Sequence, residues 1–187
     1  MPMQPDDIAL RALPDGRMAP EVAAQVDAIF FGASMRRDFV SPAERAAFRE
    51  RWLGRYLRGG SDVVLVAEDR AGTVAGYLVG AVEDPAEQDR FSDIGYFRAE
   101  FRALCRRYPA HLHINLAPAF RNRGIGGRLI AAFATRAAAA GAPGMHVVTA
   151  RDARNVRFYA RCGFAELGTA PWNGRQVVFL GKPLGLQ

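Results

Sequence analysis

Apolar residues along this 187-residue chain recur with two periods, and the alternation between them predicts a mixed α/β fold. Ile8 to Leu13 is a short strand candidate, and Val22, Val26, Ile29 and Phe30 then recur at helical spacing in a helix ending near Gly32. The stretch SPAE, Ser41 to Glu44, is a capping box with Pro at the first helical position. It opens a helix whose Phe48, Trp52 and Tyr56 share one face, more in keeping with core than with ligand contacts. Asp62 to Val82 reads as two β-branched strands joined by a turn around Ala71 and Gly72, an antiparallel hairpin. Between Asp93 and Tyr108 the residues Phe97, Phe101, Leu104 and Cys105 form one helical stripe, which makes Cys105 a buried small hydrophobe and not a nucleophile.

Leu112 to Ala117 alternates strictly, with Leu112, Ile114 and Leu116 on one side and His113, Asn115 and Ala117 on the other, so it is a strand with one polar face. From Gly126 the positions Leu129, Ile130, Phe133, Ala134 and Ala137 mark a helix to about Ala140, stopped by Gly141 to Gly144. Met145 to Ala150 follows as a strand. Asp152 is placed to cap a helix carrying Val156, Tyr159 and Ala160, with Gly163 as its stop, and a final strand is expected at Gln176 to Leu180. No repeat or linker interrupts this order. The expectation is one domain over residues 1–187, α/β, a mixed sheet with helices on both faces.

Half of the residues are hydrophobic and 24% are charged, ordinary values for a globular protein. The formal charge of +6 and pI near 10.0 raise nucleic acid or a membrane surface as partners. The basic residues are almost all Arg, however, and lie scattered among Asp and Glu without the blocks of like charge that make a nucleic-acid tail. Cys105 and Cys162 lack metal-ligand spacing, and His111, His113 and His146 have no Cys or His cluster around them, so no metal is expected. The N-terminal MPMQPDDIAL carries neither a basic leader region nor a long apolar run. A reduced, cytoplasmic protein without membrane contact is the expectation.

The stretch RNRGIGGRLI, Arg121 to Ile130, changes the picture, because it packs three glycines and three arginines ahead of an apolar helix pattern. A phosphate loop of the Walker type needs Lys then Ser or Thr after its last Gly; here Arg128 and Leu129 follow, and the only lysine is Lys182. A dinucleotide fingerprint needs Gly or Ala where Leu129 stands. The third option is an acyl-CoA pyrophosphate turn, Q/R-x-x-G-x-G/A, which Arg121, Gly124 and Gly126 satisfy in register. At a helix N-terminus the amides lack intrahelical partners and the dipole is positive, while glycines at 124, 126 and 127 let two phosphates approach. Arg121, Arg123 and Arg128 can add charge-assisted bonds. A glycine-rich loop that merely starts an ordinary helix remains open on this pattern alone.

Strand, glycine turn, helix, strand, then a helix bearing RFYARCGF together resemble the GCN5-related N-acetyltransferase family, GNAT, most sharply over Leu112 to Phe164. Within it the spellings HLHI, GAPGMHV and FYARCGF look most like the bacterial branch related to the acetyltransferase-like domain of O-GlcNAc hydrolases. The resemblance implies a mostly antiparallel central sheet splayed at two parallel strands, one ending at Leu116 and the other running from Met145 to Thr149, with acetyl-CoA held there. By that analogy backbone groups of Leu116 and Ala117 pair with the pantetheine arm, as an added strand would. Amides of Arg123, Gly124, Ile125, Gly126, Gly127 and Arg128 take the pyrophosphate. Where the family commonly has Asn seven residues before the tyrosine, this chain has Asp152 before Tyr159; Asn155, one helical turn from Tyr159, is the alternative cofactor contact. Acceptor pockets in this fold would be shaped by Phe30 to Phe39 and Ala81 to Tyr96, and a homodimer is common in the family.

Acetyl transfer to an amine asks three things of these residues. A backbone N–H near Leu116 polarises the thioester carbonyl like an oxyanion hole. Tyr159, at the family's position for the acid, protonates the leaving thiolate; its alternative is a ring packed beside Phe158 and Phe164. His113, on the polar strand face and titrating close to working pH, is the best side chain to take the amine's proton, against the alternatives of a structural histidine or of Glu83 acting through water. The leading reading is an N-acetyltransferase acting by direct transfer on a small-molecule or peptide amine. Its rivals are a catalytically silent acetyl-CoA-binding sensor or structural module and, lacking any docking motif, a nucleic-acid binder.

Overall fold

The computed structural model describes residues 7–58 and 62–185 of the chain. The first six residues, on which the leader reading partly rests, lie outside them. Seven strands form one sheet in the order β1-β2-β3-β4-β5-β7-β6. They are β1 Ile8–Ala12, β2 Asp62–Asp69, β3 Val74–Ala81, β4 Ala110–Leu116, β5 Gly144–Ala150, β6 Ala165–Trp172 and β7 Arg175–Pro183. The helices are α1 Pro20–Ala33, α2 Pro42–Trp52, α3 Gly95–Arg98, α4 Arg102–Arg107, α5 Ile125–Ala139 and α6 Asn155–Arg161. The fold class matches expectation: an α/β fold with a mostly antiparallel sheet and one parallel pair, β4 with β5.

Two compact units divide the described chain, one from residues 1–80 with 113–133, the other from 81–112 with 134–187. In the first, β1 pairs antiparallel with β2 from Ile8↔Asp69 to Ala12↔Leu65. The β2–β3 turn is tied by the Asp69 carboxylate, which accepts from the amides of Ala71 at 2.9 Å and Thr73 at 2.8 Å, and Gly72 takes the left-handed conformation there. The capping box at α2 forms, with Ser41 Oγ accepting from the Glu44 amide at 3.1 Å. Glu44 reaches back one residue further than the pattern predicts, to the Val40 amide at 2.7 Å. The helix stops at Trp52, and Tyr56 lies in a following 3-10 turn, Gly54–Tyr56, so the predicted single face is broken although Tyr56 is fully buried.

In the second unit the predicted long helix of Asp93 to Tyr108 is two short ones, α3 and α4, broken at Ala99–Phe101. Phe97, Phe101 and Cys105 are buried as expected, and burial pushes the Cys105 thiol up, away from nucleophilic chemistry. The parallel register of β4 with β5 runs Ala110↔Met145 and His111↔His146 and stops there. Strand β6 was not expected. Its outward, largely exposed face and its Gly168 and Pro171 hide any alternation, and a bulge between Glu166 and Gly168 shifts its register on β7. The readable signal was the dipeptide Asn173-Gly174, both with positive φ, which closes the β6–β7 hairpin. Helix α6 starts at Asn155, not after Asp152, and no side chain caps it.

Candidate functional site

The glycine turn lies in the first unit, at the start of α5. Gly124 takes a φ of +77° and so turns the chain into the helix, and the Arg128 amide donates to the Gly124 carbonyl at 3.1 Å as the first helical bond. That bond corrects one expectation: the amide of Arg128 is occupied by the helix and does not face an anion. The amides of Ile125, Gly126 and Gly127 precede it in the first turn, where helix geometry provides no intrahelical acceptor. A Cβ built at Gly124 or Gly127 meets nothing within 4 Å, so these positions border open space and not packed protein.

The arginines divide. The Arg128 guanidinium is turned away, donating to the Ile8 carbonyl at 2.8 Å, which overturns its expected contribution to the turn. Arg121 Nε donates to the Leu116 carbonyl at 3.2 Å, and Arg123 lies over the Phe120 ring at 5.8 Å. Both are exposed, with N–H groups to spare for an anion.

At the end of β4 the backbone pairing differs from expectation. The Ala117 amide donates to the Ala75 carbonyl of β3 at 3.0 Å, so it is not open to a ligand. Successive residues of an extended strand point their N–H groups to opposite edges, so Leu116, one residue earlier, faces away from β3. Its carbonyl is the one Arg121 holds. Gly76 sits under this end of the strand: an added Cβ would lie 2.8 Å from the Asn115 carbonyl oxygen and 3.2 Å from Leu116 Cα. The polar face of β4 is anchored by Asn115, whose Nδ2 donates to the hydroxyl of fully buried Tyr77 at 2.8 Å.

His113 shares that polar face, half-buried, with its ring edge-on to Trp52 at 5.6 Å and to Tyr56 at 5.4 Å. Burial first, and then the charge of Arg55, push its pKa down to about 4. The expectation that it titrates near working pH is therefore overturned: the imidazole is held neutral. Trp52 and Tyr56, read as core from the sequence, are the walls of this histidine's surroundings, a role that helical spacing alone does not reveal.

In the second unit, Tyr159 is 3% exposed, its ring tilted against Phe158 at 5.2 Å and edge-on to Phe164 at 5.6 Å. Burial raises its pKa, so the hydroxyl stays protonated through the working pH range. Among the described residues that hydroxyl makes no hydrogen bond. Asn155, one turn earlier on α6, is exposed and accepts from the Thr149 hydroxyl at 3.2 Å. His111 and His146 stack at 5.5 Å in the core and hold the carbonyls of Pro109 and Tyr108, which makes them structural. Among the described residues no group of three or more His, Cys, Asp or Glu could hold a metal ion, and no helix is long and apolar enough to cross a membrane.

Comparison with known proteins bears on the family and the fold. The Acetyltransferase (GNAT) family model matches residues 30–164. The crystal structure of SsHAT superimposes with a TM-score of 0.69 at 22% identity, covering 96% of this chain and 99% of that one. A structure of yncA from Salmonella typhimurium with its cofactor acetyl-CoA gives a TM-score of 0.58 at 19% identity, over 97% of this chain and 96% of that one. Nourseothricin acetyltransferase gives 0.59 at 17% identity, over 96% and 99% of the two chains. At these identities the structural likeness speaks for the fold.

Proposed function

Because this chain belongs to the GNAT family of acetyltransferases, we propose that it moves the acetyl group of acetyl-CoA to a primary amine of a small molecule or peptide, by direct transfer in a ternary complex. The observation that carries this reading is the start of α5. Three first-turn amides, Ile125, Gly126 and Gly127, open a helix of 15 residues, two glycines border open space, and Arg121 and Arg123 stand exposed beside them. A pyrophosphate fits there. The placement in the branch related to the acetyltransferase-like domain of O-GlcNAc hydrolases rests on the spellings HLHI, GAPGMHV and FYARCGF.

Acetyl-CoA supplies an activated thioester, and the chain's own groups do the rest. The Leu116 amide, on the strand edge away from β3, is placed to donate to a carbonyl oxygen as negative charge develops. By resemblance to the family, the Tyr159 hydroxyl, protonated and without a hydrogen bond among the described residues, gives a proton to a departing sulfur and regains one from solvent. His113, neutral, accepts a hydrogen bond from the attacking amine's N–H and so orients its lone pair; with a pKa of about 4 it is a poor proton sink, and the amine's proton leaves to solvent. That same depressed pKa is what favours the second reading, a catalytically silent acetyl-CoA-binding module, since the side chain best placed as a base does not titrate near neutrality.

Titration of the protein with acetyl-CoA by calorimetry tests the reading, alongside Gly127→Glu. That position has room for a side chain, so the variant folds, while its carboxylate repels a pyrophosphate. Micromolar binding lost in the variant is expected; wild-type protein that does not bind acetyl-CoA would overturn both readings together.

A further inference from the structure

An arginine-rich cleft lies in the first unit, between the end of α1 and the start of α2. Phe31, Gly32, Arg36, Arg37, Phe39 and Arg45 line a cleft of about 310 Å³, the size of a small-molecule pocket. Three of its six lining residues are arginines and none is acidic. The Phe31 and Phe39 rings meet edge to face at 5.9 Å. Within the segment Phe30 to Phe39, Phe30 is core at 5% exposure and Met35 stands out at 68%, while Phe31, Arg36 and Arg37 line the cleft.

The guanidinium groups differ in what they have left to give. Arg36 is engaged by the Glu44 carboxylate and by the Asp38 carbonyl at 3.2 Å, with its face 4.9 Å from the Phe39 ring centre. Glu44 is in turn held by the Val40 amide, and these bonds keep its carboxyl below its ordinary value, so its charge is satisfied locally. Arg37 makes one contact at the limit of a hydrogen bond, 3.5 Å to the Phe31 carbonyl. The Arg45 guanidinium lies over the Phe31 ring, 3.5 Å from its centre, and has no hydrogen bond or ion pair among the described residues. Stacking fixes the plane of a guanidinium while leaving its rim of N–H donors open, the arrangement that receives a planar or tetrahedral oxyanion.

We propose that this cleft binds a small organic oxyanion, a carboxylate or phosphonate on an aromatic or branched apolar body, with Arg45 and Arg37 receiving the anion and Phe31 and Phe39 the body. The cleft has the volume of a small-molecule pocket, and its ring pair favours an apolar group beside the charge. The proposal is independent of the acetyl-CoA reading, because the probe is titrated without acetyl-CoA.

Phenylacetate, phenylphosphonate and the uncharged phenylacetamide would be titrated into the full chain at low ionic strength, into Arg45→Gln and Arg37→Gln, and into Gly127→Glu. Both arginines are exposed, so either substitution leaves the fold intact, as circular dichroism would confirm. Phenylacetate or phenylphosphonate should bind about tenfold or more tightly than the amide, each arginine variant should weaken binding severalfold, and Gly127→Glu should leave it unchanged. Equal binding of acid and amide, no binding of either anion, or binding that survives both arginine substitutions but vanishes in Gly127→Glu would overturn the proposal, the last by moving the anion to the glycine turn.

Discussion

Two side chains, His113 and Tyr159, set what can be tested at the scale of single residues. His113 is depressed from 6.5 to about 4 when folded. Between those values the unfolded chain binds a proton that the folded chain does not, so stability is full above about pH 6.5 and is lost as pH falls towards 4. The shift corresponds to a loss of up to about 3 kcal/mol, and urea unfolding at about pH 7 and about pH 4.5 should show it. His113→Gln should flatten the difference. Tyr159 carries a sharper test of chemistry. If its hydroxyl gives the proton to the leaving sulfur, Tyr159→Phe lowers kcat roughly a hundredfold or more with acetyl-CoA affinity intact. A variant as fast as the wild type would remove the role and leave a packed ring.

Among the elements, β4 presents the Leu116 amide on one edge because β3 fixes the other. The close approach at Gly76 and the Ala117 to Ala75 hydrogen bond together set which edge the Leu116 amide faces. Gly76→Ala places a methyl 2.8 Å from the Asn115 carbonyl, tighter than carbon and oxygen tolerate, and neither strand can yield without losing its pairing. A stability loss of about 1–3 kcal/mol is expected, read as a lower urea midpoint, with acetyl-CoA affinity falling as Leu116 shifts. An unchanged midpoint would show that the strands separate easily. At the same scale, α2 and the stretch from Asp93 to Tyr108 depart from their spacing. Aromatic residues at helical spacing predict continuous helices, but the chain breaks at Leu53 and at Ala99, where the backbone leaves helical angles while Tyr56, Phe97 and Phe101 stay buried.

For the molecule as a whole, each compact unit draws on chain segments from both halves of the sequence. A fragment ending at Leu112 therefore lacks residues 113–133 of one unit and 134–187 of the other. It should show no cooperative unfolding transition by circular dichroism, whereas a fragment that melts cooperatively would mean that the first 112 residues hold a core of their own. What the sequence determined alone was local: the periods that make β1, α1, β2, β3, β4, α5 and β5, the cap at Ser41, and the glycines that open α5. These follow from backbone preferences and from spacing along one element, which a reader of the chain has in full. Tertiary structure alone decided that Arg128 turns to the Ile8 carbonyl, that the Ala117 amide is occupied, that β6 forms against β7, and that His113 lies where its charged form is disfavoured. Each of these depends on a partner distant in sequence, 120 residues away for Arg128, and neither desolvation nor a hydrogen bond can be assigned until that partner is in place.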